Sequence, residues 1–101
     1  MPGEILVDLR EAEGGGRIAT VTIAHEAKLN TLNPGLMRDI AATFARLSAD
    51  AALRAVVLTG AGPKSFVGGA DITTMAALAD GAAARDFITL VHGTCRAVRD
   101  C

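Results

Sequence analysis

The sequence predicts an α/β fold in which a two-stranded hairpin precedes a helix and a third strand follows it. Three observations support this class. Apolar and polar side chains alternate over residues 18–24, apolar side chains recur every three or four positions over residues 36–47, and residues 55–59 form a continuous apolar run. These patterns are typical of a half-buried strand, an amphipathic helix and a buried strand. A helix between two such strands favours a β-α-β unit with a right-handed crossover.

Composition limits the classes of protein that the chain can represent. The 101 residues make at most one domain, and half of them are apolar although only 3% are aromatic, so we expect an aliphatic core. Lys and Arg number 10 against 11 Asp and Glu. This balance argues against nucleic acid as a partner. Charges interrupt every apolar run before the roughly 18 to 20 residues that a membrane span requires, so we expect no membrane segment.

The two ends of the chain carry little chemistry of their own. Met1-Pro2-Gly3-Glu4 has no basic segment followed by an apolar one, so we expect no secretory signal and a cytoplasmic location. Cys95 and Cys101 are not accompanied elsewhere in the sequence by a second pair of metal-binding residues. We therefore expect two reduced thiols and no metal site. The sequence stops directly after a helical pattern, and we expect residues 1–101 to be part of a longer protein.

The first elements follow from local signals. Residues 5–10 and 17–24 read as antiparallel strands joined by the Gly-rich connector 11–16. Asn33 and Pro34 predict a helix start, since Asn is a strong N-cap and Pro suits the first helical position. This helix is predicted to run to about Asp50. The apolar run 55–59 predicts a strand that is buried on both faces.

The second half of the chain is a glycine-rich loop followed by two helices. The loop spans residues 60–71, and a short helix is predicted from about Ile72 to Ala79. A final helix is predicted from about Ala82 to Asp100. We expect one side of it to be buried, with the apolar residues Phe87, Leu90, Val91, Cys95 and Val98.

Glycine-rich loops after strands often bind phosphates, but this loop departs from the known patterns. A P-loop needs Gly before its Lys-Ser, whereas Pro63 precedes Lys64 here and also removes an amide. The dinucleotide fingerprint fails because Ser65 stands where its third Gly allows close helix packing. A nucleotide-binding module is therefore disfavoured.

Gly68 and Gly69 allow unusual backbone angles directly before a helix. The first N–H groups of a helix lack internal partners, and the helix dipole adds positive charge there. The N–H of Ala70 is therefore a candidate donor to an oxyanion. The alternative is that the glycines form only a tight turn and that Asp71 only caps the helix.

Other chemically capable residues have simpler explanations. His25 and Glu26 adjoin each other, but no third group to orient them is identifiable, so we expect solvated loop residues. We expect His92 to be a partly buried helix residue, and Met37 and Met75 to serve packing.

Three collinear blocks resemble the enoyl-CoA hydratase/isomerase (crotonase) family. Residues 21–33 contain Leu-Asn-x-Leu, residues 55–60 contain Val-Val-Leu-Thr-Gly, and residues 64–75 contain Phe-x-x-Gly-Ala-Asp-Ile. Each block is weak alone, but their order and spacing together are specific. The resemblance implies that residues 1–101 are the N-terminal part of a crotonase-like ββα spiral domain.

The resemblance also implies a substrate, an assembly and roles for residues. It implies acyl-CoA thioester substrates, no cofactor beyond the coenzyme A of the substrate, and homotrimers or dimers of trimers. Ala70 matches the first of two backbone oxyanion donors. Gly68 matches a position that meets the adenine amino group. The remaining matches are Ala27, Lys28 and Leu29 at the nucleotide end of coenzyme A, and Asp71 and Ile72 at the pantetheine and acyl entrance.

The implied reaction is the addition of water to a 2-enoyl-CoA thioester, a lyase activity of fatty acid metabolism. His25-Glu26 departs from the family's Arg-Pro or Asn-Pro, and Gly68 departs from its Ala or Ser. The family's catalytic glutamates and second oxyanion glycine lie beyond the last helix, so we expect this chain alone to be nearly inert. Enoyl-CoA isomerisation, another reaction of the family, and a non-catalytic acyl-CoA-binding or subunit-association module stay open.

Overall fold

Three strands form one sheet within residues 3–101, the part of the chain that the computed structural model describes. β1 covers Glu4–Glu11, β2 covers Arg17–Ala24 and β3 covers Leu53–Gly60. β2 lies in the middle, antiparallel to β1 and parallel to β3, which confirms the predicted hairpin and the parallel β-α-β arrangement. Met1 and Pro2, on which the expectation about a secretory signal partly depends, lie outside the described residues.

Three α-helices and a short 3₁₀ turn complete the fold. The turn covers Glu26–Lys28, and the helices are α1 at Pro34–Ser48, α2 at Ile72–Ala76 and α3 at Gly81–Arg99. The predicted cap of α1 is confirmed, because the Asn33 side chain accepts the N–H of Leu36 at 2.8 Å. No helix within residues 3–101 combines the length and the apolar character needed to cross a membrane.

α2 is shorter than predicted, ending at Ala76 rather than near Ala79. The N–H of Leu78 donates to the carbonyl of Met75, three residues back, so the last turn tightens. Asp80 then begins α3 by accepting the N–H of Ala83 at 2.8 Å.

The core lies between one face of the sheet and α1. From Ala19 onward every second residue of β2 is buried: Ala19, Val21 and Ile23 pack against Ile40 and Phe44 of α1. Burying an aliphatic side chain of this size contributes about 1.5–3 kcal/mol. The buried residues of β2, spaced by two, and those of α1, spaced by three or four, therefore pack into one apolar layer, as the sequence predicts.

The prediction that β3 is buried on both faces is wrong. Val56 packs against the core, whereas Val57 on the opposite face is 48% exposed. The helices lie on the core side, since residues of α1 and the apolar Ala97 and Val98 of α3 pack there. Leu6 of β1 is exposed on the same outer face as Val57.

α3 also buries a different residue from the one predicted. Thr94 is buried, whereas Cys95 is exposed, and both Cys95 and Cys101 are free thiols. The Thr94 hydroxyl donates to the carbonyl of Leu90 at 2.9 Å and lies 3.2 Å from that of Met37, so its polar atom has partners inside the core. His92, expected to be partly buried, is exposed.

An ion pair joins the start of β2 to the turn before β3. Arg17 Nη2 lies 2.9 Å from both carboxylate oxygens of Asp50, and Arg17 Nε donates to Oδ2 at 3.2 Å. Asp50 Oδ1 also accepts the N–H of Ala52 at 2.9 Å. That backbone hydrogen bond and the Arg17 guanidinium lower the pKa of Asp50. The pair thus connects the start of β2 to the turn between α1 and β3.

Candidate functional site

Two loops meet where β2 and β3 end. The β2–α1 loop covers residues 25–33, and the β3–α2 loop covers residues 61–71. The strands are parallel, so both loops leave the same edge of the sheet, where α/β proteins commonly bind ligands. The N–H of Leu32 donates to the carbonyl of Gly69 at 2.8 Å, and the N–H of Asp71 donates to the carbonyl of Leu32 at 2.9 Å. These bonds make a parallel bridge between Leu32 and Ala70.

The bridge leaves the N–H of Ala70 unused. In this parallel bridge the hydrogen bonds are made by Leu32 and by the neighbours of Ala70, so the N–H and C=O of Ala70 itself point away from Leu32. Among residues 3–101 no acceptor receives the N–H of Ala70. The residue itself is half-buried. A donor that stands unpaired beside a helix start is available to an anionic oxygen.

The two glycines before Ala70 serve different purposes. Gly69 has a φ of +107°, a backbone conformation that strains other residues. Gly68 is required by proximity, since a Cβ there would lie 2.7 Å from the carbonyl oxygen of Leu29 and 3.0 Å from the Thr31 methyl group. The glycines therefore turn the β3–α2 loop and let it touch the β2–α1 loop, so a tight turn and a free amide occur together.

Asp71 caps α2 and stays ionised. Its Oδ2 accepts the Thr74 hydroxyl at 2.8 Å and the Thr74 N–H at 3.2 Å. The hydroxyl hydrogen bond is the main cause that lowers the pKa of Asp71, and the positive charge of Lys28 on the other loop adds to it. An ionised carboxylate accepts protons and does not donate them. Asp71 therefore contributes negative charge and a helix cap next to Ala70.

The β2–α1 loop exposes the residues that the resemblance assigns to coenzyme A. Leu29 and Asn30 have left-handed φ angles of +54° and +56°, and no other non-glycine residue in the described range has a positive φ. The N–H of Leu29 donates to the carbonyl of Glu26, closing the 3₁₀ turn. Ala27, Lys28 and Leu29 are all exposed on this turn. Leu29 also lies against Gly68, so residues from both loops adjoin there.

Asn30 is the functional candidate that the sequence analysis missed. It is completely buried, and its Oδ1 accepts the N–H of His25 at 2.9 Å. Its Nδ2 donates to the carbonyls of Ala61 and Ser65, both at 2.9 Å. The available signal was the residue type, since Asn is enriched among non-glycine residues at left-handed positions. Its partners on the other loop are distant in sequence and gave no local signal.

His25 differs from the expected solvated residue. Its ring is half-buried, with Nδ1 3.3 Å from the carbonyl oxygen of Thr31. Glu26 is exposed, as expected. Within residues 3–101 no three His, Cys, Asp or Glu side chains gather in a way that could hold a metal ion.

Large apolar side chains are exposed on the same two loops and on α2. Ile72, directly after the cap Asp71, is 76% exposed. Met75, expected to serve packing, is 43% exposed. Leu29 and Phe66 are also exposed. These exposed side chains give the outer surface of the two loops and of α2 an apolar character.

Comparisons with known proteins agree on one family. The model of the family described as enoyl-CoA hydratase/isomerase matches residues 13–101. A short-chain-enoyl-CoA hydratase from Clostridium acetobutylicum is 43% identical over 63 residues, which cover 62% of this chain and 24% of that protein. A probable enoyl-CoA hydratase from Rhizobium meliloti is 41% identical over 66 residues, covering 65% of this chain and 25% of that protein. The chain thus spans about a quarter of the length of these curated relatives.

Solved structures show the same fold. An enoyl-CoA hydratase/carnithine racemase from Magnetospirillum magneticum is 34% identical with a TM-score of 0.82, covering 99% of this chain and 37% of that one. An enoyl-CoA hydratase from Bacillus anthracis has a TM-score of 0.78 at 24% identity, covering 91% of this chain and 34% of that one, and supports the fold alone. The crotonase-like fold expected from the sequence is confirmed.

Proposed function

The chain belongs to the enoyl-CoA hydratase/isomerase family, and on that basis we propose that it forms the part of an enoyl-CoA hydratase that binds the thioester and polarises its carbonyl. The observation that carries the proposal is the unpaired N–H of Ala70 beside the start of α2. When water adds to the 2,3 double bond of an enoyl thioester, negative charge develops on the thioester oxygen. A fixed N–H aimed at that oxygen lowers the barrier.

The exposed loop residues supply contacts for the rest of the substrate. Lys28 carries a positive charge on the exposed 3₁₀ turn and suits the phosphates of coenzyme A. Because Gly68 has no side chain, the β3–α2 loop lies directly against Leu29. We propose that the backbone of Gly68 contacts the adenine amino group. Ile72 is exposed beyond the Ala70 donor and Asp71, where the pantetheine and acyl entrance is proposed.

Hydration also needs a base to deliver water and an acid to protonate the α carbon. Asp71 is the acidic residue beside the donor, and it is occupied as a helix cap with a lowered pKa. We propose that the acid, the base and the second oxyanion donor lie outside residues 1–101. Losing one oxyanion donor alone costs roughly 100- to 1000-fold in rate, so low activity is expected of these residues alone.

The same observation supports a second candidate, a module that binds acyl-CoA without converting it. Both candidates use the Ala70 N–H and the two loops, and they differ only in whether proton-transfer groups complete the site. The trimeric assembly implied by the family is part of the first candidate, and sedimentation of the protein measures it.

A titration of the ¹⁵N-labelled chain with crotonyl-CoA tests the proposal. We expect the Ala70 amide resonance to shift as the thioester binds, and free coenzyme A to shift the resonances of the β2–α1 loop but not that of Ala70. Binding that leaves the Ala70 resonance in place would overturn its role as donor. The ultraviolet absorbance of the enoyl thioester, followed in the same samples, tests where the proton-transfer groups lie: rapid loss with a chain of verified mass would show that residues 1–101 hold them and would overturn their proposed place outside this chain.

A further inference from the structure

We propose that Asn30 is a positioning residue: its carboxamide holds the β3–α2 loop against the β2–α1 loop and so sets the direction of the Ala70 N–H. The inference rests on the proposed function, since it concerns the same site. It goes further by assigning a role to a side chain that touches neither the thioester nor coenzyme A.

The hydrogen bonds of the carboxamide are complete and directional. Both Nδ2 hydrogens are used, one on the carbonyl of Ala61 and one on the carbonyl of Ser65, each at 2.9 Å. Oδ1 accepts the N–H of His25 at 2.9 Å. Two carbonyl acceptors and one N–H donor match an amide and do not match a carboxylate, which has no hydrogen to donate. A buried group satisfied in this way resists rotation.

The segment 65–71 of the β3–α2 loop is attached at both ends, at its start by Asn30 and at its end by Leu32. Ser65 is fixed by the carboxamide, and Gly69 and Asp71 are fixed by the backbone of Leu32. Ala70 lies within the second attachment, and the first attachment fixes where the segment enters it, so the direction of the Ala70 N–H depends on both. Because Asn30 and Leu32 are two residues apart, both attachments belong to one short piece of the β2–α1 loop.

The space around Gly60 shows how close the loop approaches. A Cβ at Gly60 would lie 2.6 Å from the carbonyl oxygen of Ser65 and 2.7 Å from Asn30 Nδ2. The chain therefore crosses directly over the end of β3, and Asn30 is the side chain that reaches it there. Without the carboxamide, the carbonyls of the half-buried Ser65 and Ala61 would lose their donor, and we expect the loop to move outward to find another in water.

The substitution Asn30→Gly tests this role most directly, because Gly also accepts a φ of +56°, so the change removes the side chain with its carboxamide without straining the backbone. We expect the affinity for crotonyl-CoA to fall on the order of tenfold. We expect the ligand-induced shift of the Ala70 amide to shrink even at saturation. A purely structural role would lower the melting temperature and leave both readouts unchanged in the folded protein.

Asn30→Asp adds a pH readout. The carboxyl group introduced at this position faces two carbonyls, so it fits only when protonated and able to donate a hydrogen. We expect the affinity of Asn30→Asp for crotonyl-CoA, measured relative to that of the unmodified chain at the same pH, to recover in part as the pH falls. Thr94→Val is the matched control, because it removes a buried hydroxyl from α3, away from both loops. It should lower stability without changing affinity.

The outcomes separate this inference from the proposed function. If the unmodified chain does not bind crotonyl-CoA, the proposed function is overturned. If it binds and Asn30→Gly binds equally well, this inference alone is overturned. If Asn30→Gly fails to fold, the unmodified chain decides: slow exchange of the Asn30 side-chain hydrogens that slows further with crotonyl-CoA supports the role, and exchange at the rate of a free amide overturns it.

Discussion

Leu32 and Ala70 face each other in a parallel bridge whose two hydrogen bonds use the atoms of Leu32 and of the neighbours of Ala70. The bridge therefore holds Ala70 in place without consuming its N–H. It also separates two properties that usually change together in a mutant, the position of a residue and its capacity to donate.

Ala70→Pro should remove the donor and keep the bridge, because the bridge does not use this N–H. We expect the carbonyl stretch of bound crotonyl-CoA, measured by isotope-edited infrared spectroscopy, to lose the shift to lower frequency that a hydrogen bond causes. Ala70→Gly keeps the N–H and is the control. An unchanged carbonyl frequency in Ala70→Pro would remove Ala70 from the mechanism.

Gly68→Ala should push the two loops apart, since its Cβ would lie 2.7 Å from the carbonyl oxygen of Leu29. Overpacking of this kind costs about 1–3 kcal/mol in the free energy of unfolding. Gly93→Ala is a matched control, because nothing lies within 4 Å of the added methyl group on α3. It should stabilise the chain by roughly 0.5–1 kcal/mol through helix propensity. Thermal denaturation of the two variants measures both effects, and equal melting temperatures would contradict the close approach.

Asp50→Asn should flatten the acid side of the stability curve. The folded-state pKa of Asp50 is lowered from its ordinary value of 3.8, so its contribution is present above that pH and is lost as the pH falls through the lower, folded-state pKa. Asn at this position keeps an acceptor for the Ala52 N–H and loses the charge that attracts Arg17. Denaturant unfolding at a series of pH values measures the slope.

The Asp71 carboxyl group, whose pKa is also lowered, contributes to the acid sensitivity that should persist in Asp50→Asn. The double substitution Asp50→Asn with Asp71→Asn should reduce the remaining slope further. A slope in Asp50→Asn equal to that of the unmodified chain would show that the ion pair with Arg17 does not contribute to stability in solution.

Lys28→Met should weaken binding of coenzyme A by removing a positive charge from the exposed turn. The loss of affinity for coenzyme A should be greatest at low ionic strength and should become smaller as salt screens the charge of the phosphates. Lys64→Met is the control, because Lys64 is an exposed lysine of the other loop to which the resemblance assigns no contact. Calorimetric titration with coenzyme A at two salt concentrations measures the difference, and equal losses in both variants would indicate general attraction only.

Local signals predicted most of the backbone. Asn33 and Pro34 located the start of α1 because a cap and a first-turn proline act within a few residues. The face of β3 could not be predicted in the same way, because a continuous apolar run does not reveal which neighbours cover it. The exposure of Val57 was missed for that reason. Thr94 was missed because its hydroxyl is satisfied by carbonyls that only the packed helices bring near.

The candidate site was predictable in part. The glycines and the free amide of Ala70 follow from a short segment, whereas the role of Asn30 depends on Ala61 and Ser65, which lie 31 and 35 residues away. A buried side chain whose partners are that distant is recognised only once β2 and β3 are paired.

The proposed donor is a main-chain atom, and this has a consequence for how the site can vary. Nineteen of the twenty amino acids carry the same hydrogen, so nearly any codon change at position 70 preserves it, and a conventional alanine scan passes over it without effect. Exchange of that one peptide linkage for an ester, made by chemical ligation, would delete the hydrogen and leave every side chain as it is.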